Sequence, residues 1–214
     1  MAEDNKALTG VLKNEQTREQ DMPRSGPDNG QKEIKPAGRR VFLHLLRDVL
    51  SVVVSAVIIA FVLKTFVVDS RFVPTGSMTP TIYGGDRVVF LKLPYYFGKT
   101  PARLDIMVLA SGERLISEDD LLKRVIGLPG DTVEIKNGLV YINGEALPEP
   151  YLNEQPLYYF EEVTVPQDCC FMLGDNRNHS TDSHLWDDPF VPFSDIKGKV
   201  LLRYWPLSHI GIIN

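Results

Sequence analysis

Two side chains, Ser77 and Lys123, have neighbours that suit them for covalent chemistry. Ser77 sits in Phe72-Val-Pro-Thr-Gly-Ser-Met-Thr-Pro-Thr81, where Pro74, Gly76 and Pro80 exclude a helix interior and predict an extended, loop-like ribbon. A serine on such a ribbon is displayed. In extended backbone the Thr75 hydroxyl points to the same side, as a donor for an oxyanion pocket. A serine nucleophile needs a base, and Lys123 lies in Leu121-Leu-Lys-Arg-Val-Ile126, a predicted strand with apolar residues on both faces. An ordinary lysine is neutral in only about one molecule in a few thousand at pH 7, and burial lowers its pKa by up to about 3–5 units. A desolvated Lys123 is then a usable general base. The plain alternatives are a turn serine and a lysine that snorkels from a sheet edge.

A third stretch, Gly174-Asp-Asn-Arg-Asn-His-Ser-Thr-Asp-Ser183, follows an apolar strand and concentrates hydrogen-bonding side chains. Ser180 is placed to orient a lysine amine, and Asp175 or Asp182 to balance Arg124 or Arg177. A calcium loop lacks its alternating acidic ligands and distal glutamate here. A Ser-His-Asp hydrolase using His184 or His179 with Asp182 is the competing enzyme reading, and it makes Lys123 dispensable. A penicillin-type acyltransferase fits poorly, because Pro80 and not lysine stands three residues after Ser77. The non-enzymatic reading is a membrane-anchored β module that binds an exported partner.

The elements that must position these residues are short strands. Gly85–Lys92, Leu104–Leu109, Leu121–Ile126, Glu161–Val165, Cys170–Leu173 and Lys199–Tyr204 read as strands, and two Asn-Gly pairs within 132–145 predict hairpins. No long amphipathic helix follows residue 69, so the fold class is mainly β, an antiparallel catalytic domain over 69–214. Before it, Val49 to Val68 is apolar apart from Ser51, Ser55, Lys64 and Thr65. Twenty residues rise about 30 Å, a bilayer's hydrocarbon thickness. Residues 39–68 are therefore read as a juxtamembrane segment and one transmembrane helix. A cleaved signal is excluded by its late start, its length and the lack of small residues after it. Arg39, Arg40 and Arg47 precede the span and put the N-terminus in the cytoplasm, with the β domain outside, and Ser77 is tethered at most about 30 Å from Val68. Residues 1–38 have the composition of a disordered tail.

The net charge of -5 argues against nucleic acid as partner. The only two cysteines, Cys169 and Cys170, are adjacent and read as packing residues on opposite faces of a strand, and neither they nor the four histidines have metal-ligand spacing, so no cofactor is expected. Tyr95-Tyr-Phe97 and Phe190-Val-Pro-Phe193 are candidates for lipid contact or for the core.

Pro74-Thr-Gly-Ser-Met-Thr-Pro80, Gly85-Asp86, Lys123-Arg-Val-Ile-Gly-Leu-Pro-Gly-Asp131 and the 174–183 stretch, in that order and behind an apolar span, resemble the motif set of bacterial type I signal peptidases. The resemblance covers about residues 45 to 205. It implies a membrane-anchored Ser-Lys endopeptidase that removes signal peptides from exported preproteins, with small residues preferred at substrate positions -1 and -3. By position Ser77 matches the nucleophile and Lys123 the base. Thr75 matches the hydroxyl that completes the oxyanion hole with the Ser77 N–H, Ser180 the serine bonded to the lysine, and Asp182 the nearby structural acid. One departure is visible: family members commonly carry arginine where this chain has His184, which puts the usual Asp-Arg pairing in question.

Overall fold

A computed structural model describes residues 37–110 and 119–213. The expected tail lies outside these residues except for Ala37 and Gly38, which open helix α1 (Ala37–Val62). The stretch Val41–Val67 is long and apolar enough to cross a membrane, and none of it is buried in the protein. The helical segment begins before the expected span and continues as a π turn over Leu63–Val67. Val68, assigned by sequence to the span, instead starts strand β1. The Lys92 ammonium donates to the Lys64 and Thr65 carbonyls at 3.0 and 2.8 Å, satisfying acceptors that a helix end leaves open.

The remaining chain forms β1 (Val68–Phe72), β2 (Arg87–Leu91), a one-turn helix α2 (Leu93–Tyr96), β3 (Ile106–Leu109) and β4 (Leu121–Gly127). Next come β5 (Thr132–Lys136), β6 (Leu139–Ile142), β7 (Glu145–Ala146), β8 (Phe160–Thr164) and β9 (Cys169–Leu173). The last are β10 (Phe190–Pro192), β11 (Ile196–Trp205) and β12 (Gly211–Ile212). The larger sheet runs β1-β2-β11-β3-β4-β9-β10 with β12 beside β11, and the smaller runs β7-β6-β5-β8. Every pairing is antiparallel. The two Asn-Gly hairpins form as the sequence predicts, with Asn137, Gly138, Asn143 and Gly144 all at positive φ, as tight hairpin turns require.

Strand burial follows what covers each face. β2 and β5 alternate, burying Val88 with Phe90 and Val133 with Ile135. β4 is buried from Leu122 to Gly127 because apolar clusters lie on both of its faces. Leu122 belongs to a cluster with Met78, Ile82, Val88, Phe90 and Ile106; Val125 to one with Met107, Met172 and Trp186; Ile126 to one with Val133, Ile135 and Phe171. Gly127 allows the smaller sheet to close on the larger, since a Cβ there would stand 2.6 Å from Val133 Cγ2. The cysteines divide as expected, Cys170 buried and Cys169 half-buried. Of the aromatic candidates, Tyr95 and Phe193 pack on the core while Phe97 is exposed.

Candidate active site

Lys123 and Arg124 are adjacent cations in the middle of β4, each 2% exposed. Lys123 shares one face of the strand with Leu121 and Val125, and Met107 stands opposite it on β3. Its ammonium donates to Ser180 Oγ at 2.9 Å. Burial pushes the amine pKa down, against the attraction of Asp182 and then of Asp175. Arg124 turns to the other face and makes a two-pronged pair with Asp175, at 2.8 and 2.7 Å, under the Tyr151 ring at 4.0 Å.

Ser77 opens a tight turn and does not lie on the extended ribbon that its prolines suggested. The Thr79 amide donates to the Gly76 carbonyl and the Ile82 amide to that of Met78, at 3.1 and 2.9 Å. Pro and Gly exclude a helix interior but leave ribbon and turn equally open; burial of Met78 and Ile82 in the core selects the turn. Ser77 is left half-buried at its start. The Thr75 and Ser77 hydroxyls still adjoin, Oγ1 to Oγ 3.5 Å, the outer limit of a hydrogen bond.

The 174–183 loop joins these parts. The Asn176 amide donates to Ser77 O at 3.0 Å and its side chain to Gly76 O at 3.1 Å. A Cβ at Gly174 would stand 2.2 Å from Ser180 Oγ and 2.5 Å from Ser77 O, so only glycine lets the serine turn and Ser180 close on each other. Asp182 accepts the Gly174 amide at 2.8 Å and faces His184 Nδ1 at 2.6 Å. Ser183 ties the loop to β9 through the Met172 amide and carbonyl. Lys123 and Ser77 are not hydrogen-bonded to each other here; such contacts often tighten only around substrate.

The fixed charges settle the pairings that the sequence left open. Asp175 balances Arg124, whereas Arg177 goes to neither aspartate: it pairs with Glu149, Nη1 to Oε2 2.9 Å, and donates from Nε to Gly174 O at 3.1 Å. Asp182 meets His184, so the aspartate at that position has an imidazole partner. Gly174, Asn176, Ser183 and Glu149 are contributors that the residue-by-residue reading missed. The first three lie in a stretch whose density of polar groups was its signal; Glu149 had none.

A family model described as signal peptidase, peptidase S26, matches residues 46–205, a range that holds every side chain named above. The chain belongs to this signal peptidase family. A probable signal peptidase I-2 of Synechocystis sp. is 40% identical over 163 residues, 75% of this chain and 73% of its own. The signal peptidase I of Bacillus caldolyticus is 40% identical over 170 residues, 73% of this chain and 90% of its own. A crystal structure of a signal peptidase I from Enterococcus faecalis V583 is 34% identical, with a TM-score of 0.41, over 47% of this chain and 97% of that one.

Proposed function

We propose that this chain, a serine endopeptidase that removes signal peptides from preproteins, does so with Ser77 as nucleophile and Lys123 as general base. The observation that carries the reading is a buried amine, depressed in pKa, bonded to Ser180 on the same loop whose Asn176 amide holds the Ser77 backbone. Neutral Lys123 takes the Ser77 hydroxyl proton as Oγ attacks the scissile carbonyl carbon. The Ser77 N–H and the Thr75 hydroxyl donate to the resulting oxyanion. Collapse breaks the C–N bond, and protonated Lys123 gives its proton to the departing amine of the mature chain. Lys123 then accepts a proton from water, whose oxygen attacks the acyl ester and frees Ser77.

Two features favour an extended peptide as substrate. Among the described residues, β1 ends the larger sheet with no strand on its outer side. β9 pairs with β4 only from Arg124 onward, so among the described residues Leu121–Lys123 have no ladder partner on that side. Open backbone edges beside a nucleophile take up a peptide by strand addition. The anchor is Val41–Val67, with residues before it cytoplasmic and the β domain on the outer side, where exported preproteins emerge; lipid is then a constant neighbour.

The contact between His184 and Asp182 favours a second reading, a histidine-based hydrolase. Cleavage of a preprotein by the detergent-solubilised chain decides between them. Lys123→Met keeps the side-chain bulk and removes the amine, and is expected to lose several orders of magnitude in kcat. A Lys123→Met variant that cuts like wild type would transfer the base role to His184.

A further inference from the structure

Asp86 of the Gly85-Asp86 pair takes no part in the proton transfers above, yet it is buried close to the serine turn. Its Oδ2 accepts the Tyr83 amide at 2.8 Å and Arg203 Nη1 at 3.0 Å. Arg203, on β11, also donates from Nη1 to the Thr81 carbonyl at 3.3 Å and from Nε to the His209 carbonyl at 2.6 Å. The pair thus holds the main chain of Thr81, four residues after Ser77.

Thr81 is held a second time, by its side chain. Its Oγ1 donates to Asp175 Oδ2 at 2.5 Å, the length of a hydrogen bond to a charged oxygen. Arg124 Nη2 donates to the same carboxylate oxygen at 2.7 Å and stands 3.4 Å from Thr81 Oγ1. Arg124 adjoins Lys123 in β4, and Asp175 adjoins Asn176, which holds the Ser77 and Gly76 carbonyls. Consecutive residues of one loop therefore grip the serine turn at both ends, and the Thr81 end is tied through Asp175 to the residue next to Lys123. Burial of Met78 and Ile82 keeps the turn against the core, but apolar packing has no direction, whereas a hydrogen bond has a preferred line.

We infer that Thr81 is a positioning residue whose hydroxyl, through Asp175 and Arg124, sets where the Ser77 hydroxyl stands relative to the Lys123 amine; the inference rests on Ser77 and Lys123 being nucleophile and base. Thr81 touches no reacting atom. It registers the turn that carries the nucleophile against the strand that carries the base, two parts of the chain that Ser77 and Lys123 do not themselves join by a hydrogen bond. Arg203 and Asp86 steady its main chain while the hydroxyl holds its partner.

The test measures kcat and KM for cleavage of one preprotein by wild type, Thr81→Val and Thr81→Ser, each with its melting temperature. Valine keeps the branched shape and removes the donor, leaving Asp175 both of its bonds from Arg124; serine keeps the donor. Because small misplacements of reacting groups are costly, Thr81→Val is expected to lose about 10–100-fold in kcat with KM little changed, and Thr81→Ser to stay near wild type. A Thr81→Val variant with the kcat of wild type, a loss that Thr81→Ser shares in full, or a change confined to KM overturns the inference. Should Thr81→Val fail to fold, judged by its melting temperature, Thr81→Ala and Thr81→Ser, which differ by one oxygen, carry the test: a higher kcat in the serine variant supports the inference, and equal values overturn it. Ser77→Ala in the same series separates the two levels. If that variant cuts, the nucleophile assignment has failed; if it is inert and Thr81→Val cuts like wild type, only the role of Thr81 has failed.

Discussion

Lys123 is a residue whose chemistry is made by where it is put. Burial lowers its pKa from 10.5, and Asp182 and Asp175 pull back in the other direction. As the proposed base Lys123 must be neutral, so kcat/KM is expected to fall on acidification through its folded-state pKa and to hold a plateau above it. An acid limb that survives in a Lys123→Met variant with residual activity would assign the limb elsewhere. Gly174 matters as much for what it lacks. In Gly174→Ala the new Cβ meets Ser180 Oγ and Ser77 O well inside contact distance. Because small misplacements of reacting groups cost about 100-fold, kcat is expected to drop by at least that factor while a peptide's KM changes little, as steady-state kinetics would show.

At the scale of elements, β4 is the organiser. It lies where the three apolar clusters meet, and it delivers Lys123 to one face and Arg124 to the other. The Arg124–Asp175 pair is 2% and 0% exposed, so Asp175→Asn leaves a guanidinium buried without its carboxylate. Breaking such a pair costs about 3–5 kcal/mol, to be read as a lower urea midpoint in detergent at unchanged slope. A shift within 0.5 kcal/mol, roughly that of an exposed pair, would mean that the pair is open to water. The loop after β9 depends on Arg177 in the same way, since its guanidinium holds both Glu149 and the Gly174 carbonyl.

On the scale of the whole molecule, the chain combines an apolar helix with a catalytic β domain whose sheet begins directly after it. Alkaline carbonate extraction is expected to leave the full chain with the membrane. A variant lacking residues 1–62 is expected to move to the soluble fraction and to keep cleaving a soluble peptide, while losing rate on membrane-inserted preprotein as its effective concentration at the bilayer falls. Equal rates on both substrates would remove the anchor from the mechanism.

The sequence by itself determined what is local. Period-two alternation marked β2 and β5, Asn-Gly marked both hairpin turns, and twenty apolar residues marked the span, each a pattern that neighbouring residues write by themselves. It also picked out Ser77, Lys123, Ser180 and Asp182 by residue type and motif. Only the tertiary structure decided how they meet. Lys123 reaches Ser180 across 57 residues and Asn176 reaches Gly76 across 100, and such pairings leave no periodic trace. Val68 shows the same limit: it is apolar enough for a span and β-branched enough for a strand, and its pairing with Leu91 made it strand. Glu149 looked like any surface acid until Arg177, 28 residues away, was buried against it. Local patterns fix periodicity and turns, whereas burial, and with it the basicity of Lys123, exists only once distant strands have closed around it.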